Sequence, residues 1–384
     1  MKSHPALTEE HEAFRDTVRR FVEREIMPHA TAWDEAGEFP RELYRKAAQA
    51  GLLGVGYPGE YGGTPADHFF RIVSGEEFAR AGCGGLSASL FSHTIGAPPI
   101  AAVGSEELKR RVLPAILAGE KISALAITEP GGGSDVANLK TKAFKNKNDF
   151  IVNGEKTFIT SGMRADYYTV AVRTGGPGAA GVSLLLIDRD SPGFTRAPLK
   201  KMGWWCSDTA SLHFENVRVP AANLIGELNA GFRAIMRNFN SERLGMAAGA
   251  VGFAQACLED ALEWARARQT FGKRLVEHQA IRHKLVDMQT RVHAARALLY
   301  DTAWKLSDAP REAVYIAQLA MLKNLATDTM QYCADGAVQT LGGAGYIRGT
   351  RPERIYRESK VMQIGGGSTE IMKDLAARQL GWES

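Results

Sequence analysis

The stretch Phe150-Ile151-Val152-Asn153-Gly154-Glu155-Lys156-Thr157-Phe158-Ile159 decides the fold class of this 384-residue chain. Two runs rich in β-branched and aromatic residues flank an Asn-Gly pair, which is the strongest short-range signal for a β-hairpin. Runs of the same kind continue from about Lys121 to Ile225, at 167–172, 182–187 and 212–217. Because no segment of helix length separates them, we predict an antiparallel sheet, arranged as a sandwich or a barrel.

The chain before this β region has the spacing of buried helical faces. Apolar side chains recur there at three- and four-residue steps, at Phe14, Val18, Phe21, Val22 and Ile26. Further helices are predicted at 67–81, 86–95 and 106–117, and the glycine-rich stretch 51–64 is predicted to be a loop.

The helical period returns after Gly231 and continues to the end of the chain. Long segments near 232–268, 279–307 and 311–341, with a last one near 368–380, predict a helical bundle. The expected fold is therefore α+β and multidomain. We expect an N-terminal helical domain at 1–121, a middle antiparallel β-sandwich or barrel domain at 122–228, and a C-terminal four-helix bundle at 229–384.

Composition and charge exclude several classes of protein. Lys and Arg total 47 against 43 Asp and Glu, and the basic residues are scattered, which weighs against a nucleic-acid-binding protein. The cysteines Cys83, Cys206, Cys257 and Cys333 form no CxxC pair and have no His at ligand spacing, so we expect free, buried thiols and no metal site. No apolar run reaches about 18 residues, so no membrane span is expected.

The N-terminal residues show neither the apolar core of a signal peptide nor an Arg- and Ser-rich transit pattern. A bacterial-type chain of this kind is expected in the cytoplasm. A processed eukaryotic form would be expected in the mitochondrial matrix.

Several glycine-rich segments are candidates for ligand contact. Thr128-Glu129-Pro130-Gly131-Gly132-Gly133-Ser134-Asp135 follows an apolar run, and its glycines let backbone N–H groups approach a ligand or simply make a turn. Segment 339–345 could end a helix, and segment 364–370 could cap the last helix or receive an anion. The GxGxxG letters at 176–181 precede a strand-like run, so they predict a surface loop rather than a dinucleotide fingerprint.

One carboxylate lies on an apolar helical stripe. Glu242 falls between Phe239 and Met246 on the face that Ile235 and Phe253 also share. An unpaired buried charge is costly, so Glu242 is either paired in a structural ion pair within the bundle or lines a cavity. In the second case its apolar surroundings would raise its pKa toward that of a general base.

Four stretches of the sequence together resemble the acyl-CoA dehydrogenase family of flavoproteins. They are Ala126-Ile127-Thr128-Glu129-Pro130-Gly131-Gly132-Gly133-Ser134-Asp135, Asn153-Gly154-Glu155-Lys156-Thr157-Phe158-Ile159-Thr160, Arg266-Ala267-Arg268-Gln269-Thr270-Phe271-Gly272-Lys273 and Gln339 to Tyr346. The resemblance covers nearly the whole chain, and the family's order of domains agrees with the order predicted from the sequence pattern.

The resemblance implies an FAD enzyme that oxidises the α,β-bond of an acyl-CoA thioester to a trans-2-enoyl-CoA. A base removes the α-proton while the β-hydrogen passes as hydride to flavin N5. It also implies a role in fatty-acid β-oxidation or branched-chain acyl degradation. A homotetramer, built as a dimer of dimers, and an electron-transfer flavoprotein as electron acceptor are expected with it.

The resemblance also assigns binding residues. Those expected to bind FAD are Ile127, Thr128, Ser134, Phe158, Ile159, Thr160, Arg268, Phe271, Gln279, Gln339, Gly342, Gly343, Ser368 and Glu370. Those expected to bind the substrate are Ser134, Arg243, Gly366 and Gly367. Arg268, Gln279 and 339–343 match positions that hold FAD across a subunit interface. Many relatives carry Trp at the position of Phe158, which keeps an aromatic surface but lacks the indole N–H.

The expected catalytic base is Glu242. Most family members place the base at the position of Gly366, where this chain has no carboxylate. The long-chain and isovaleryl branches carry it within a Glu-Arg-Leu motif of the bundle helix, and Glu242-Arg243-Leu244 matches that motif. Glu370 is the competing carboxylate, although the first turn of a helix favours a capping or ribose contact there.

Other functions stay open on the sequence alone. One alternative is an acyl-CoA oxidase or a flavin monooxygenase of the same fold, and another is a non-enzymatic scaffold that binds acyl-CoA or protein partners. The preferred acyl length depends on cavity depth, for which Met202, Trp204 and Trp205 are candidate wall residues or plain core residues.

Overall fold

The computed structural model describes residues 4–310 and 312–382. Its N-terminal part is helical, as predicted. The helices are α1 (Glu9–Phe21), α2 (Ala30–Ala36), α3 (Glu42–Gln49), α4 (His68–Ala79), α5 (Gly84–Leu90), α6 (His93–Gly96), α7 (Pro98–Val103) and α8 (Glu106–Leu117).

Helix α1 shows how local sequence sets these elements. The Thr8 side chain accepts a hydrogen bond from the His11 N–H, and three glutamates occupy the first turn, where the helix dipole favours negative charge. The predicted apolar face is confirmed, because Val18, Val22 and Ile26 are almost completely enclosed. A π-helical turn at Val22–Ile26 continues α1 toward Pro28.

The middle part of the chain is a β region, as predicted. Its strands are β1 (Ser123–Ala126), β2 (Lys142–Asn146), β3 (Asp149–Thr160), β4 (Tyr167–Arg173), β5 (Val182–Asp188), β6 (Phe194–Pro198), β7 (Thr209–Pro220) and β8 (Leu224–Ile225). The strand order is β6-β7-β3-β2-β4-β5-β8, with β1 beside β4. Pairing is mostly antiparallel, but β1 and β2 each run parallel to β4.

The hairpin predicted at Asn153-Gly154 is wrong. Strand β3 runs straight through this pair, and the turn that joins β2 to β3 lies at Lys147 and Asn148 instead. Gly154 is needed for another reason: its φ is +143° and an added Cβ would lie 2.7 Å from Thr141 Cα. The pairing of β3 with β7 shifts register beside it, so the glycine marks a β-bulge and not a turn.

The C-terminal part is helical. It contains α9 (Gly231–Ala267), α10 (Gln279–Asp308), α11 (Ala313–Leu341), the single turn α12 (Gly343–Tyr346), α13 (Arg351–Ile364) and α14 (Thr369–Gln379), with the short strands β9 (Gln269–Thr270) and β10 (Lys273–Arg274). Helix α13 was not predicted, because several of its buried positions are polar, among them Arg354, Glu358 and Ser359. Its start nevertheless carries a Thr350 cap and Pro352.

Helix α9 connects the three parts of the molecule. Its small residues allow α4 to approach closely: an added Cβ at Gly252 would lie 2.6 Å from Ala79 Cβ. The Ile235 end of α9 packs with β5, and the Phe253 end belongs to the core of the bundle. Glu242 lies between these two apolar clusters.

Two further expectations concern the whole chain. In the described ranges, no helix is long and apolar enough to cross a membrane. All four cysteines are buried and free, as expected. Cys83 and Cys206 are distant in sequence, yet the chain fold brings their Sγ atoms to 3.3 Å.

Candidate active site

Glu242 is held in an enclosed position on α9. The residue is partly buried, but its Oε2 atom is enclosed and has no hydrogen-bond partner in the part of the chain that the structure describes. Burial raises the pKa of Glu242 to about 7, while the charges of Arg243 and Lys323 act to lower it. A carboxylate with that pKa can take up a proton near neutral pH.

The structural ion pair that the sequence left open for Glu242 does not form. No cation lies within 4.0 Å of its carboxylate among the described residues. The neighbouring Arg243 instead donates from Nε to Gly366 O at 3.0 Å and from Nη1 to Asn240 Oδ1 at 3.2 Å. Among the described residues, the carboxylate of Glu242 therefore has no ion-pair partner, and its Oε2 has no hydrogen-bond partner.

The glycine loop 365–367 lies beside this carboxylate. Gly366 and Gly367 have φ values of +67° and +109°, which favour glycine. An added Cβ at Gly366 would lie 2.7 Å from Met246 Sδ, and Met246 is one helical turn after Glu242. Met246 is thus next to Gly366 in the loop and one helical turn from Glu242 on α9.

The loop is fastened by cations from two helices. Arg243 on α9 holds the Gly366 carbonyl, and Lys323 on α11 donates to Gln363 O at 3.1 Å and to Gly367 O at 2.8 Å. Arg243, expected from the resemblance to bind substrate, is thus already occupied by the loop and by Asn240.

The 127–134 segment, which follows β1, is tied to β3 from inside the protein. Glu129 accepts from the Lys140 and Thr141 N–H groups at 2.6 and 2.8 Å, and its Oε1 lies 2.8 Å from Lys156 Nζ. Lys156 is completely enclosed and also donates to Ile127 O at 3.0 Å. These contacts fix the position of Thr128 and the glycines after it.

Phe158 projects from a bulge in β3. The pairing of β3 with β7 is interrupted between Lys156 and Ile159, and the Thr157 N–H donates instead to Thr128 O at 2.9 Å. Phe158 has a φ of +60° and is 69% exposed, whereas Ile159 is buried. The protein thus presents an exposed aromatic ring on the segment of β3 that the Thr157 N–H joins to Thr128, and Ser134 in the following loop is also exposed.

The second set of predicted cofactor residues lies elsewhere on the chain. Arg268, Phe271, Gln279, Gln339, Gly342 and Gly343 are all exposed, and Phe271 is 97% exposed with a φ of +52°. Glu242 and Ala267 are 25 residues apart on α9, which corresponds to about 37 Å at about 1.5 Å per residue. The structure therefore does not bring this set together with Glu242 within one chain.

Ser368 and Glu370 begin the last helix. The Ser368 side chain caps α14 by accepting from the Ile371 N–H at 3.4 Å. Glu370 is exposed, and hydrogen bonds from its own backbone N–H and from Ser368 lower its pKa. The pKa of Glu370 is thus lowered in an exposed helix start, whereas the pKa of Glu242 is raised in an enclosed position.

Sequence reasoning did not identify Glu129 with Lys156, nor Lys323, as parts of the site. Lys156 occupies an inward-facing position of a strand, and Lys323 directly follows the apolar sequence Leu319-Ala320-Met321-Leu322 of α11. A charged residue at a position that the pattern predicts to be buried was the available signal. The surface hollow lined by Trp33, Phe39, Arg41 and Arg164 contains none of the site residues.

Three family models match the chain in sequence order. The acyl-CoA dehydrogenase N-terminal domain matches residues 8–120, the middle domain matches 124–217, and the C-terminal domain matches 229–381. Together they cover most of the chain.

Individual proteins are similar over the same length. The mitochondrial long-chain specific acyl-CoA dehydrogenase of Sus scrofa is 38% identical, over 97% of this chain and 86% of that protein. The crystal structure of acyl-CoA dehydrogenase from Geobacillus kaustophilus has 37% identity and a TM-score of 0.93, over 98% of this chain and 100% of that one. A glutaryl-CoA dehydrogenase from Mycobacterium smegmatis in complex with FADH2 has 27% identity and a TM-score of 0.92, over 98% of this chain and 96% of that one.

Proposed function

Because the chain belongs to the acyl-CoA dehydrogenase family of FAD-dependent oxidoreductases, we propose that it oxidises an acyl-CoA to the trans-2-enoyl-CoA with Glu242 as the base. The observation that carries this proposal is the enclosed, unpaired carboxylate of Glu242 beside a loop in which Gly366 replaces the family's more common base. The enzyme would act in fatty-acid or branched-chain acyl degradation.

Glu242 removes the α-proton of the thioester. Its burial disfavours the charged form, so the carboxylate is more basic than one in water and gains from protonation. A base whose pKa lies near the working pH combines adequate ionisation with adequate proton affinity. Arg243 and Lys323 keep a fraction of Glu242 ionised at neutral pH.

The residues of the first set fit an FAD ring system. The exposed Phe158 supplies an aromatic surface, Gly131 and Gly132 have open space where a side chain would be, and Ile127, Thr128, Ser134, Ile159 and Thr160 border them. Bound FAD supplies the acceptor for the β-hydrogen, which leaves as hydride to N5. Ser368 and Glu370 would complete this side of the site.

The second set fits the same cofactor in a partner subunit. Its exposed residues, Arg268, Phe271, Gln279, Gln339, Gly342 and Gly343, lie at the other end of α9 from Glu242. Gly342 and Gly343 have no atom within 4 Å of an added Cβ, so a phosphate or an adenosine could approach their backbone. A homotetramer, built as a dimer of dimers, would bring the two sets together.

The substrate thioester would lie between Ser134 and the loop 365–367. The Gly366 N–H is assigned to the thioester oxygen, whose negative charge grows as the α-proton leaves. Arg243 contributes by holding the Gly366 carbonyl. We further propose that the electron acceptor is an electron-transfer flavoprotein and that the enzyme is cytoplasmic. The proposed domain boundaries lie between residues 121 and 122 and between residues 228 and 229.

The test is anaerobic bleaching of the bound flavin by acyl-CoAs of graded length and branching. A dehydrogenase should bleach strongly and reoxidise slowly when air is admitted. Rapid reoxidation in air would indicate an acyl-CoA oxidase or monooxygenase. A purified protein that lacks a yellow flavin and stays colourless when reconstituted with FAD would indicate a non-enzymatic scaffold.

A further inference from the structure

Lys323 is a buried cation without a carboxylate partner. It lies on α11 and is completely enclosed. Its Nζ donates to two backbone carbonyls, and no carboxylate lies within 4.0 Å of it in the described part of the chain. Enclosing an ammonium group costs free energy, and an apolar residue would fill a position between helices without that cost. A lysine at this buried position is therefore better explained by a function than by packing.

The two acceptors bracket the glycine loop. Gln363 O is one of the last carbonyls of α13, which have no partner within the helix, and Gly367 O lies directly before α14. Lys323 thus joins the end of one helix to the start of the next, where the C-terminal dipole of α13 also favours a cation. Between these anchors Gly366 is held from the other side by Arg243.

The same ammonium group acts on the charge of Glu242. Arg243 on α9 and Lys323 on α11 are the cations that favour the ionised form of this carboxylate. Arg243 is bonded to Gly366 O and to Asn240, and Lys323 to Gln363 O and Gly367 O, so neither is neutralised by an ion pair of its own. Their positive charges remain available to the base.

We propose that Lys323 is a positioning residue for the reaction: it fixes the loop 365–367 against Glu242 and supplies positive charge that keeps Glu242 ionised. This rests on the proposed function of Glu242 as the base. Because both hydrogen bonds of Lys323 go to backbone carbonyls on either side of Gly366, it acts through the loop and through the carboxylate.

The pH dependence follows from the groups around Lys323. Burial and, to a smaller extent, the charge of Arg243 on α9 lower the pKa of Lys323 to about 8, although Asp328 on α11, Glu242 on α9 and Glu370 on α14 act to raise it. Glu242 must lose its proton to act, so the rate should rise as the pH passes about 7. Lys323 loses its charge as the pH passes about 8, and a neutral amine holds the carbonyls of Gln363 and Gly367 less strongly than an ammonium group does, so the rate should fall above that value.

The experiment is single-turnover flavin reduction by acyl-CoA between about pH 5.5 and 9.5. In Lys323→Met the rising limb should move up by about one pH unit, which reduces the rate near pH 6 about tenfold. Lys323→Arg should keep the rising limb and lose the falling limb, because a guanidinium stays charged. Lys360→Met is the matched control: Lys360 is exposed on α13 and donates a hydrogen bond to the side chain of Gln363, not to a carbonyl of the loop, so both limbs should stay unchanged.

Infrared difference titration supplies a readout that needs no turnover. The protonated-carboxyl band that is missing in Glu242→Gln should titrate near pH 7 in the parent enzyme and at higher pH in Lys323→Met. The proposal would be overturned if the parent and Lys323→Met showed the same rising limb of the pH–rate profile and the same titration of the carboxyl band. It would also be overturned if the pH–rate profile of Lys323→Arg kept the falling limb. The Lys323→Arg arm still decides the matter if Lys323→Met does not fold. Full turnover in Glu242→Gln would overturn the proposed base instead.

Discussion

Replacing Lys156 with methionine removes one charge of the ion pair that ties segment 127–134 to β3. Lys156 is fully enclosed, and its Nζ lies 2.8 Å from Glu129 Oε1 and 3.0 Å from Ile127 O. Methionine is apolar and of similar length, so the main consequence is that Glu129 remains in an enclosed place without its cation. The substitution therefore tests how strongly the position of segment 127–134 depends on this ion pair.

The size of the effect follows from the contacts that Glu129 keeps. Breaking a buried ion pair by removing one partner costs about 3–5 kcal/mol. Glu129 still accepts two backbone hydrogen bonds, from Lys140 and Thr141. We therefore expect a loss near the lower end, about 3 kcal/mol. The double variant Lys156→Met with Glu129→Gln should recover part of that loss, because no charge is then left unpaired.

Urea unfolding and the amount of FAD retained per chain measure the effect. The matched control is Arg218→Met, which breaks the exposed pair of Arg218 with Asp149, also 2.8 Å apart and also joining strands of this sheet. Exposed pairs contribute at most about 1 kcal/mol. The lysine variant should be the less stable of the two and should retain less FAD. Equal stability and equal FAD content in the two variants would refute the reasoning.

Three further substitutions have defined outcomes. Glu242→Gln should stabilise the protein by up to about 3 kcal/mol at pH 8 and have no effect below about pH 4.5. The reason is that the pKa of Glu242 rises from 4.5 to about 7 on folding, so its ionised form opposes folding. Equal urea midpoints of the parent and the variant at pH 8 would contradict this. Arg268→Ala should weaken FAD retention and shift the oligomer toward smaller species on a sizing column, and full FAD occupancy with unchanged affinity would count against its role. The double variant Glu242→Gly with Gly366→Glu should recover part of the single-turnover activity that Glu242→Gly lacks. Recovery is limited by the positive φ of Gly366 and by Met246 Sδ, which lies 2.7 Å from the added Cβ. A double variant no faster than Glu242→Gly, with flavin and ligand still bound, would exclude the idea that both positions serve the same substrate carbon.

Much of the fold follows from local pattern. The helical spacing around Val18 and the β-branched runs from 167 to 187 predict the elements that form. In each of these elements, the apolar residues that define the pattern are the ones that become buried. The Asn153-Gly154 prediction failed because the glycine serves a bulge in the pairing of β3 with β7, a strand that lies about 60 residues later in the chain, and lies close to Thr141 just before β2. Helix α13 was missed because its buried side chains are polar and pair across the fold.

The site was predictable only in part. Glu242 could be found because a carboxylate on an apolar stripe breaks the pattern, and the structure leaves its Oε2 enclosed and unpaired. The support from Lys323 and from Glu129 with Lys156 could not be found, because each acts through backbone groups that only the folded chain brings near. The closeness of Cys83 and Cys206 is hidden in sequence for the same reason.

Anaerobic single-turnover flavin reduction in Glu242→Gln tests the central claim most directly. The matched control is Glu263→Gln, an exposed carboxylate on the same helix, which should reduce flavin at the parental rate. With FAD and acyl-CoA binding intact, Glu242→Gln should be slower by at least about 10²–10⁴-fold, the range for loss of a general base. Flavin reduction near the parental rate in Glu242→Gln, together with its loss in Glu370→Gln, would contradict the account and assign the base to Glu370.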